Sequence, residues 1–192
     1  MVSTTQLIEI FSLHYPFMDE NELKEASLLF ETKHFKKGDL LISKRGVCKT
    51  CHFLVNGFVR CYTTDGETES TLWFGERGDL LTSFKSLFDN MQGDDMIVAL
   101  TDCEVFTIDM DAFKNLVKTN AEFTKLYIKI IEVGYQFWEN RFKILSQMDV
   151  ERRYNEWQGR TKHLEAHIPL GVIAQYLNIN QATLSRIRAK KK

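Results

Sequence analysis

The sequence predicts an α+β chain: a small β-sandwich or jelly roll behind N-terminal helices, one long helix, and a C-terminal helix-turn-helix. Three observations carry this. Residues 31–110 break into short apolar runs separated by turn residues, the pattern of a small all-β unit. Residues 121–148 sustain two apolar stripes at helical spacing. Residues 168–192 hold two short helical patterns joined by a turn and end in basic residues. This reading divides the chain at 1–118, 119–148 and 149–192.

Composition sets the frame. The 192 residues can bury real cores, and 44% hydrophobic with 27% charged residues describes a globular chain. No apolar run approaches eighteen residues, so no membrane span is expected. The opening Met-Val-Ser-Thr-Thr-Gln lacks the pattern of a signal peptide, and a cytoplasmic location is the expectation. The net charge of −1 hides an asymmetry: from Val150 onward nine Lys/Arg face three Glu. An acidic body with a basic C-terminal module suits a nucleic-acid-binding tail. In a reducing compartment Cys48, Cys51, Cys61 and Cys103 stay free of disulfides. Cys48 and Cys51 have metal-ligand spacing, but no second pair follows, so no metal and no cofactor is expected. We find no phosphate loop and no Ser/His/Asp set at motif spacing, so the chain does not read as an enzyme.

Taken in order, residues 5–30 carry a helical pattern (Leu7, Ile8, Phe11, then Leu23, Ala26, Leu28, Leu29, Phe30) that Pro16 divides into two helices. Strands are expected at 40–42, 52–55, 58–62, 70–74, 96–100 and 103–108. Asn56-Gly57 and Asp65-Gly66 read as hairpin turns. A short helix follows from Asp111 to Val117, and Asn120 can cap a long one. That helix, at 1.5 Å per residue, would span ~42 Å. One stripe on it is Phe123, Tyr127, Ile130, Phe137, Ile144 and Met148. The other is Ile128, Ile131, Tyr135, Trp138, Phe142 and Leu145, at alternating spacings of three and four. Two stripes need two partners, which predicts a homodimer; Phe137 is taken as a position in its seam. Asp149 can cap a helix from Val150 to Lys162, whose Tyr154 and Trp157 pack on the last module.

In that module Pro169 suits a first turn, and Ile173, Ala174 and Leu177 share one face. Asn178 tolerates the left-handed conformation a sharp turn needs. Ile179 plugs the turn, Asn180 caps the second helix, and Leu184 and Ile187 point back at the first. The outward face is polar and ends basic, as a reader of the DNA major groove should.

This order of elements resembles the Crp/Fnr family of bacterial transcription regulators over nearly the whole chain. The sharpest residues are Ile168-Pro169-Leu170, Ile173-Ala174, Tyr176-Leu177 and Thr183-Leu184-Ser185-Arg186-Ile187-Arg188, with Phe35-Lys36-Lys37-Gly38-Asp39, Phe53 to Arg60, Gly78-Asp79-Leu80-Leu81 and Asp102 to Val105 in the sheets. The resemblance implies a double-stranded β-helix of the cyclic-nucleotide-binding type. It places the recognition helix at 181–189. Gln181, Ala182, Ser185 and Arg186 would stand where the family reads bases, and Asn180 and Thr183 where it holds phosphates. Arg188 and Lys190 to Lys192 would add phosphate contacts. The implied partners are double-stranded DNA, a second copy of the chain, RNA polymerase and an unidentified small-molecule effector.

Departures fall in the effector region. The resemblance places a pocket at Gly78, Leu81, Thr82, Ser83, Asp94 and Asp95. Cyclic-nucleotide-binding members carry Gly-Glu and then an arginine there; this chain has Thr82-Ser83 and Gly93-Asp94-Asp95. Carboxylates where an anion would sit argue against cyclic AMP. Phe74-Gly75-Glu76 has the look of the missing cassette but lies upstream and is read as a decoy. His34 and His52 are each read as an ordinary surface or satisfied core residue, not as haem ligands. The alternative reading is a ligand or redox sensor whose C-terminal helices mediate protein contacts.

Overall fold

A computed structural model describes residues 4–190. Helices α1 (Thr4–His14) and α2 (Glu20–Ser27) precede strands β1 (Phe30–Phe35), β2 (Leu40–Ile42), β3 (Thr50–Asn56), β4 (Val59–Thr64), β5 (Glu69–Gly75) and β6 (Leu80–Leu81). Helix α3 (Phe84–Asp89) interrupts the strands before β7 (Met96–Ala99) and β8 (Cys103–Asp109). Then come α4 (Met110–Thr119), the long α5 (Ala121–Gln147), α6 (Val150–Thr161), a 3-10 segment (Lys162–His167), α7 (Leu170–Tyr176) and α8 (Gln181–Ala189).

The strands form two four-stranded antiparallel sheets, ordered β1-β8-β3-β6 and β2-β7-β4-β5. Their facing sides bury Leu41, Leu54, Val59, Leu81, Ile97 and Val105. The expected jelly roll is therefore present. The Asp65-Gly66 turn joins the antiparallel pair β4 and β5, and the Asp65 carboxylate accepts from the Glu67 and Thr68 amides at 3.0 and 2.8 Å.

The other expected hairpin is corrected. Strand β3 lies in one sheet and β4 in the other, so Asn56-Gly57 carries the chain between sheets. Gly57 has φ +98°, and a Cβ there would meet the Asp102 carbonyl oxygen and the Cys103 sulfur. Close approach, not hairpin geometry, requires this glycine. Phe30 is also corrected: it begins β1, opposite Ile108, where a helical residue was expected. Strands β1 and β6 and helix α3 lie outside the sequence expectation.

A second core lies behind the first sheet, where α1, α2, α4 and the start of α5 cover it. Phe53 of β3 sits among Phe11, Phe30 and Phe113, with ring centroids 4.8, 6.0 and 6.2 Å away. Phe123 and Leu126 of α5 are fully buried in this cluster. Asn120 starts α5 as expected, its side chain accepting from the Glu122 and Phe123 amides at 3.0 and 3.1 Å. Among the described residues, no helix is long and apolar enough to cross a membrane.

His52 lies inside the roll at 3% exposure, with Nδ1 2.8 Å from Thr107 Oγ1 and Nε2 3.2 Å from Thr50 Oγ1. It is a satisfied core residue, while the His34 side chain is 73% exposed, 4.0 Å from Glu104. Burial, and then the Lys33 charge, push the His52 imidazole down to about 4. The folded value lies below the unfolded one, near 6.5. The neutral ring therefore contributes stability that is complete above about pH 6.5 and is lost as pH falls towards 4. NMR of the ring carbons should give a midpoint near 4, and His52→Gln should flatten that limb of the stability curve; a midpoint near 6.5 is the contrary result.

Candidate nucleic-acid interface and effector cavity

The C-terminal module is built as its residues dictate. Pro169 is the N-cap of α7 rather than a residue of its first turn. Asn178 adopts φ +54°, which closes the turn between α7 and α8. The Asn180 side chain accepts from the Thr183 amide at 2.8 Å and starts α8. Ile173, Ala174, Leu177, Leu184 and Ile187 are buried together with Tyr154, Trp157 and Leu164, and Ile179 packs against them.

That packing leaves a defined outer face on α8. Gln181, Ala182, Ser185 and Arg186 are exposed, and Thr183 is half-buried. Among the described residues Arg186 makes only long contacts, 3.4 Å from Nε to the Ala182 carbonyl and 3.4 Å from Nη2 to Thr183 Oγ1. Its guanidinium is free to reach outward and offers the fork geometry that suits guanine. Arg188 differs: Nη2 lies 3.0 Å from Glu165 Oε1, so it is turned towards the 3-10 segment. Asn180 is exposed but engaged as a cap. Lys190 is exposed next to the end of α8, and Lys191 and Lys192 lie outside the described residues.

The module is clamped to the rest of the chain. Arg153 on α6 donates to the carbonyls of Leu145, Met148 and Leu177, tying the end of α5 to α7. Arg141 on α5 donates to the Tyr176 carbonyl and lies over its ring, 3.8 Å from the centroid. On the roll, Arg60 is buried at 6% exposure; it reaches Thr71 Oγ1 (2.9 Å), Glu69 Oε2 (2.7 Å) and, across to α7, Gln175 Oε1 (2.8 Å). Glu76 Oε2 lies 2.8 Å from His163 Nε2, and Phe74 packs on Tyr176 at 5.2 Å.

A cavity of about 200 Å³ lies between the roll and α5. The body contributes Tyr15, Trp73, Phe74, Asp79, Leu80 and Phe84; α5 contributes Ile130, Val133, Gly134, Phe137 and Trp138. Among the described residues the lining is aromatic and aliphatic, with one carboxylate and no Lys, Arg or His. Asp79 keeps an open face to solvent, yet its carboxyl is crowded by its neighbours and pushed up to about 6. Its Oδ2 accepts from the Glu76 amide at 2.9 Å. Burial, and then Asp79, push the Tyr15 phenol up, and its hydroxyl donates to the Gly78 carbonyl at 3.2 Å. A Cβ at Gly134 would meet nothing within 4 Å, so this glycine leaves space.

None of the six pocket residues expected from the sequence lines this cavity. Gly78 is buried against the His14 ring, and Leu81 is in the core between the sheets. Thr82 Oγ1 donates to the Thr50 carbonyl at 3.0 Å, and Ser83 caps α3. Asp94 is exposed; Asp95 is half-buried, its carboxyl raised by burial and then by Asp94. Phe74, set aside as part of a decoy, lines the cavity. Cys48 Sγ donates to the Thr50 carbonyl at 3.3 Å, and Cys51 is buried with its thiol pushed up to about 12 by burial. Among the described residues, no group of three or more His, Cys, Asp or Glu side chains is placed to hold a metal ion.

The two stripes of α5 are separated as expected, with one correction. Phe123 is buried and Tyr127, Ile130, Phe137 and Ile144 are half-buried towards the body. Ile128, Ile131, Tyr135, Trp138 and Phe142 are exposed, Tyr135 at 70% and Phe142 at 71%. Phe137 thus belongs to the inward face, not to the open stripe.

Comparisons with known proteins agree with this geometry. Residues 32–120 match the family model of the cyclic nucleotide-binding domain. No curated protein matches the chain. Among solved structures, a variant of CooA from Carboxydothermus hydrogenoformans matches at 18% identity and TM-score 0.73, covering 99% of this chain and 85% of that one. A protein from Eubacterium rectale, described as a transcriptional regulator of the Crp/Fnr family, matches at 19% identity and TM-score 0.70, covering 93% and 85%. The c-di-GMP-responsive global regulator CLP of Xanthomonas campestris matches at 14% identity and TM-score 0.67, covering 90% and 91%. The chain shares the fold of these Crp/Fnr structures, and its residues 32–120 match the model of the cyclic nucleotide-binding domain.

Gln175→Ala removes the acceptor that α7 offers to Arg60 Nη2 and to Thr71 Oγ1 (3.1 Å), while leaving Arg60 its contacts to Thr71 and Glu69. Amide exchange in α7 should then open more easily by about 1–2 kcal/mol, with β4 and β5 unchanged. Equal loosening of the strands would contradict a clamp local to the module.

Proposed function

From a cyclic nucleotide-binding domain carried on a Crp/Fnr fold, we propose that this chain is a dimeric regulator of transcription that reads double-stranded DNA with α8. The observation that carries the reading is the division of that helix. Leu184 and Ile187 hold it to α7, while Gln181, Ala182, Ser185 and Arg186 face outward. Arg186 contacts guanine and Gln181 adenine, and Asn180, Thr183 and Lys190 lie against phosphates. Arg188 contributes only if it leaves Glu165. Two copies read half-sites about one helical turn, roughly 34 Å, apart or a multiple of it.

The dimer seam is the open stripe of α5. Ile128, Ile131, Tyr135, Trp138 and Phe142 alternate at spacings of three and four, the repeat that lets two helices interlock. The effector is small and apolar or neutral, and it occupies the cavity between the roll and α5. Because Trp138 belongs both to that cavity and to the stripe, occupancy acts on the seam. Cyclic AMP is a poor fit, since its phosphate needs donors and positive charge and the lining offers Asp79.

Selection of an operator from a random DNA pool tests the reading. On the selected site Arg186→Ala should cost about 1–3 kcal/mol and relax one base pair, while Lys190→Ala should weaken all sequences alike and lower the salt slope by about one. A uniform loss from both would overturn the assignment of α8. Cyclic AMP and cyclic GMP should leave operator affinity unchanged; a gain of roughly tenfold from either would reject the neutral-effector reading.

For the seam, Phe142→Glu puts a charge on a side chain that is already exposed, so the subunit should still fold. Light scattering should show it as a monomer at concentrations where the unmodified chain is a dimer, with a parallel loss of DNA affinity. An unmodified chain that is monomeric at micromolar concentration would count against the dimer.

A further inference from the structure

On α8 the residues Gln181, Ser185 and Arg188 are spaced by four and then three, so they fall in one row along the helix. Gln181 and Ser185 in that row are exposed on the outer face. Arg188 comes one turn after Ser185, yet its head leaves the row: Nη2 lies 3.0 Å from Glu165 Oε1. The Arg188 side chain is 40% exposed and that of Glu165 18%. One carboxylate on the neighbouring 3-10 segment therefore turns a cation away from the face that its own helix assigns to it.

Glu165 is fixed where it can do this. It follows Leu164, which is buried in the C-terminal cluster. Its charge reaches the buried Tyr154 phenol, which burial above all raises, Glu165 raises further and Arg188 lowers. The hold on Arg188 is nonetheless loose. Glu165 Oε1 is buried and receives no aligned hydrogen bond among the described residues, so attraction of charge alone keeps the guanidinium there. A phosphate presents several oxygens to the guanidinium fork and is the better partner. Against the exchange stands the cost of leaving a mostly buried carboxylate without this cation.

We propose that Glu165 is a positioning residue that withholds Arg188 from DNA, so that the unmodified chain binds with one phosphate contact fewer than α8 can make. The proposal rests on the reading of α8 as the DNA-binding helix. Without the Glu165 charge, Arg188 returns to the row of Gln181 and Ser185 and lies against the phosphate backbone beyond them. A phosphate contact carries no sequence information, so Glu165 sets affinity and salt response and leaves the preferred sequence alone. A shift of the 3-10 segment away from α8 has the same effect as removing the carboxylate.

The test is a double-mutant cycle on the full chain, with the selected operator and a random duplex as probes. Glu165→Gln should tighten both about three- to fivefold and raise the salt slope by about one. With Arg188→Ala in place the same change should have no effect, and Arg188→Ala alone should cost less than about twofold. A gain that survives in the Arg188→Ala background reports bulk charge only and would overturn the proposal. So would a full three- to fivefold loss, roughly, from Arg188→Ala alone, a result that does not need the Glu165 variant to fold. A second readout needs no DNA. In the ¹⁵N-labelled chain the Arg188 Nε–H signal, identified by its loss in Arg188→Ala, should be ordered, and Glu165→Gln should set it in motion. A signal already mobile in the unmodified chain overturns the hold even where operator selection succeeds. An ordered one that Glu165→Gln releases supports the hold even where selection fails and the reading of α8 is lost.

Discussion

The architecture turns on a long helix whose one face the rest of the chain covers and whose other face it leaves open. The 27 residues of α5 extend roughly 40 Å, and the roll with its N-terminal helices buries only Phe123 and Leu126 of its first two turns. Phe123 and Leu126 close the phenylalanine cluster, and beyond them the body covers one side alone. The covered side encloses the cavity. The uncovered side carries large apolar groups in a two-turn repeat, and a stripe of that size on a water-facing helix is a surface made to be met. This one element runs from the roll, where Phe123 and Leu126 join the phenylalanine cluster, to the helix-turn-helix, where Arg141 meets Tyr176.

At the far end the joint is set by guanidiniums. Arg60, Arg141 and Arg153 come from the roll, the long helix and the following helix, and each reaches a group of α7 or the turn after it. A buried cation is costly without partners, so these contacts select one relative placement of the elements more than they add net stability. Apolar packing supplies the cohesion here, through Phe58 and Phe74 of the roll against the C-terminal cluster.

The parts legible in the sequence are those whose signals are local. Asn178 and Asn180 mark a turn and a cap through their own side chains and backbone, and the apolar plugs lie within a dozen residues of each other. Asn120 and Asp149 announce helix starts in the same way. Non-local choices were harder. Asn56-Gly57 announces a turn but not which strands it joins, and only the packing of Gly57 on Asp102 and Cys103 settles that. Phe30 fits a helical period as well as it starts a strand, and its pairing with Ile108 lies far along the chain. The cavity was illegible because Tyr15, Trp73, Phe84 and Phe137 meet only in space. The resemblance read along the sequence named Thr82 and Ser83, whose hydroxyls hold the strand and helix around them. One hint was present: a glycine inside a helix costs about 1 kcal/mol relative to alanine, so Gly134 asked for a reason.

The third apolar cluster bears on how the molecule comes apart. It is centred on the helix-turn-helix, yet it contains Leu100 of the roll and is flanked by Phe58 and Phe74. Melting the C-terminal helices alone would strip these three side chains of their cover, and melting the roll would do the same to Tyr176. Neither half can be lost without charging the other for newly wetted apolar surface, which makes the partly unfolded states high in free energy. Denaturation should therefore follow a single cooperative transition across both ends of the chain, although its linear layout suggests beads that melt one at a time.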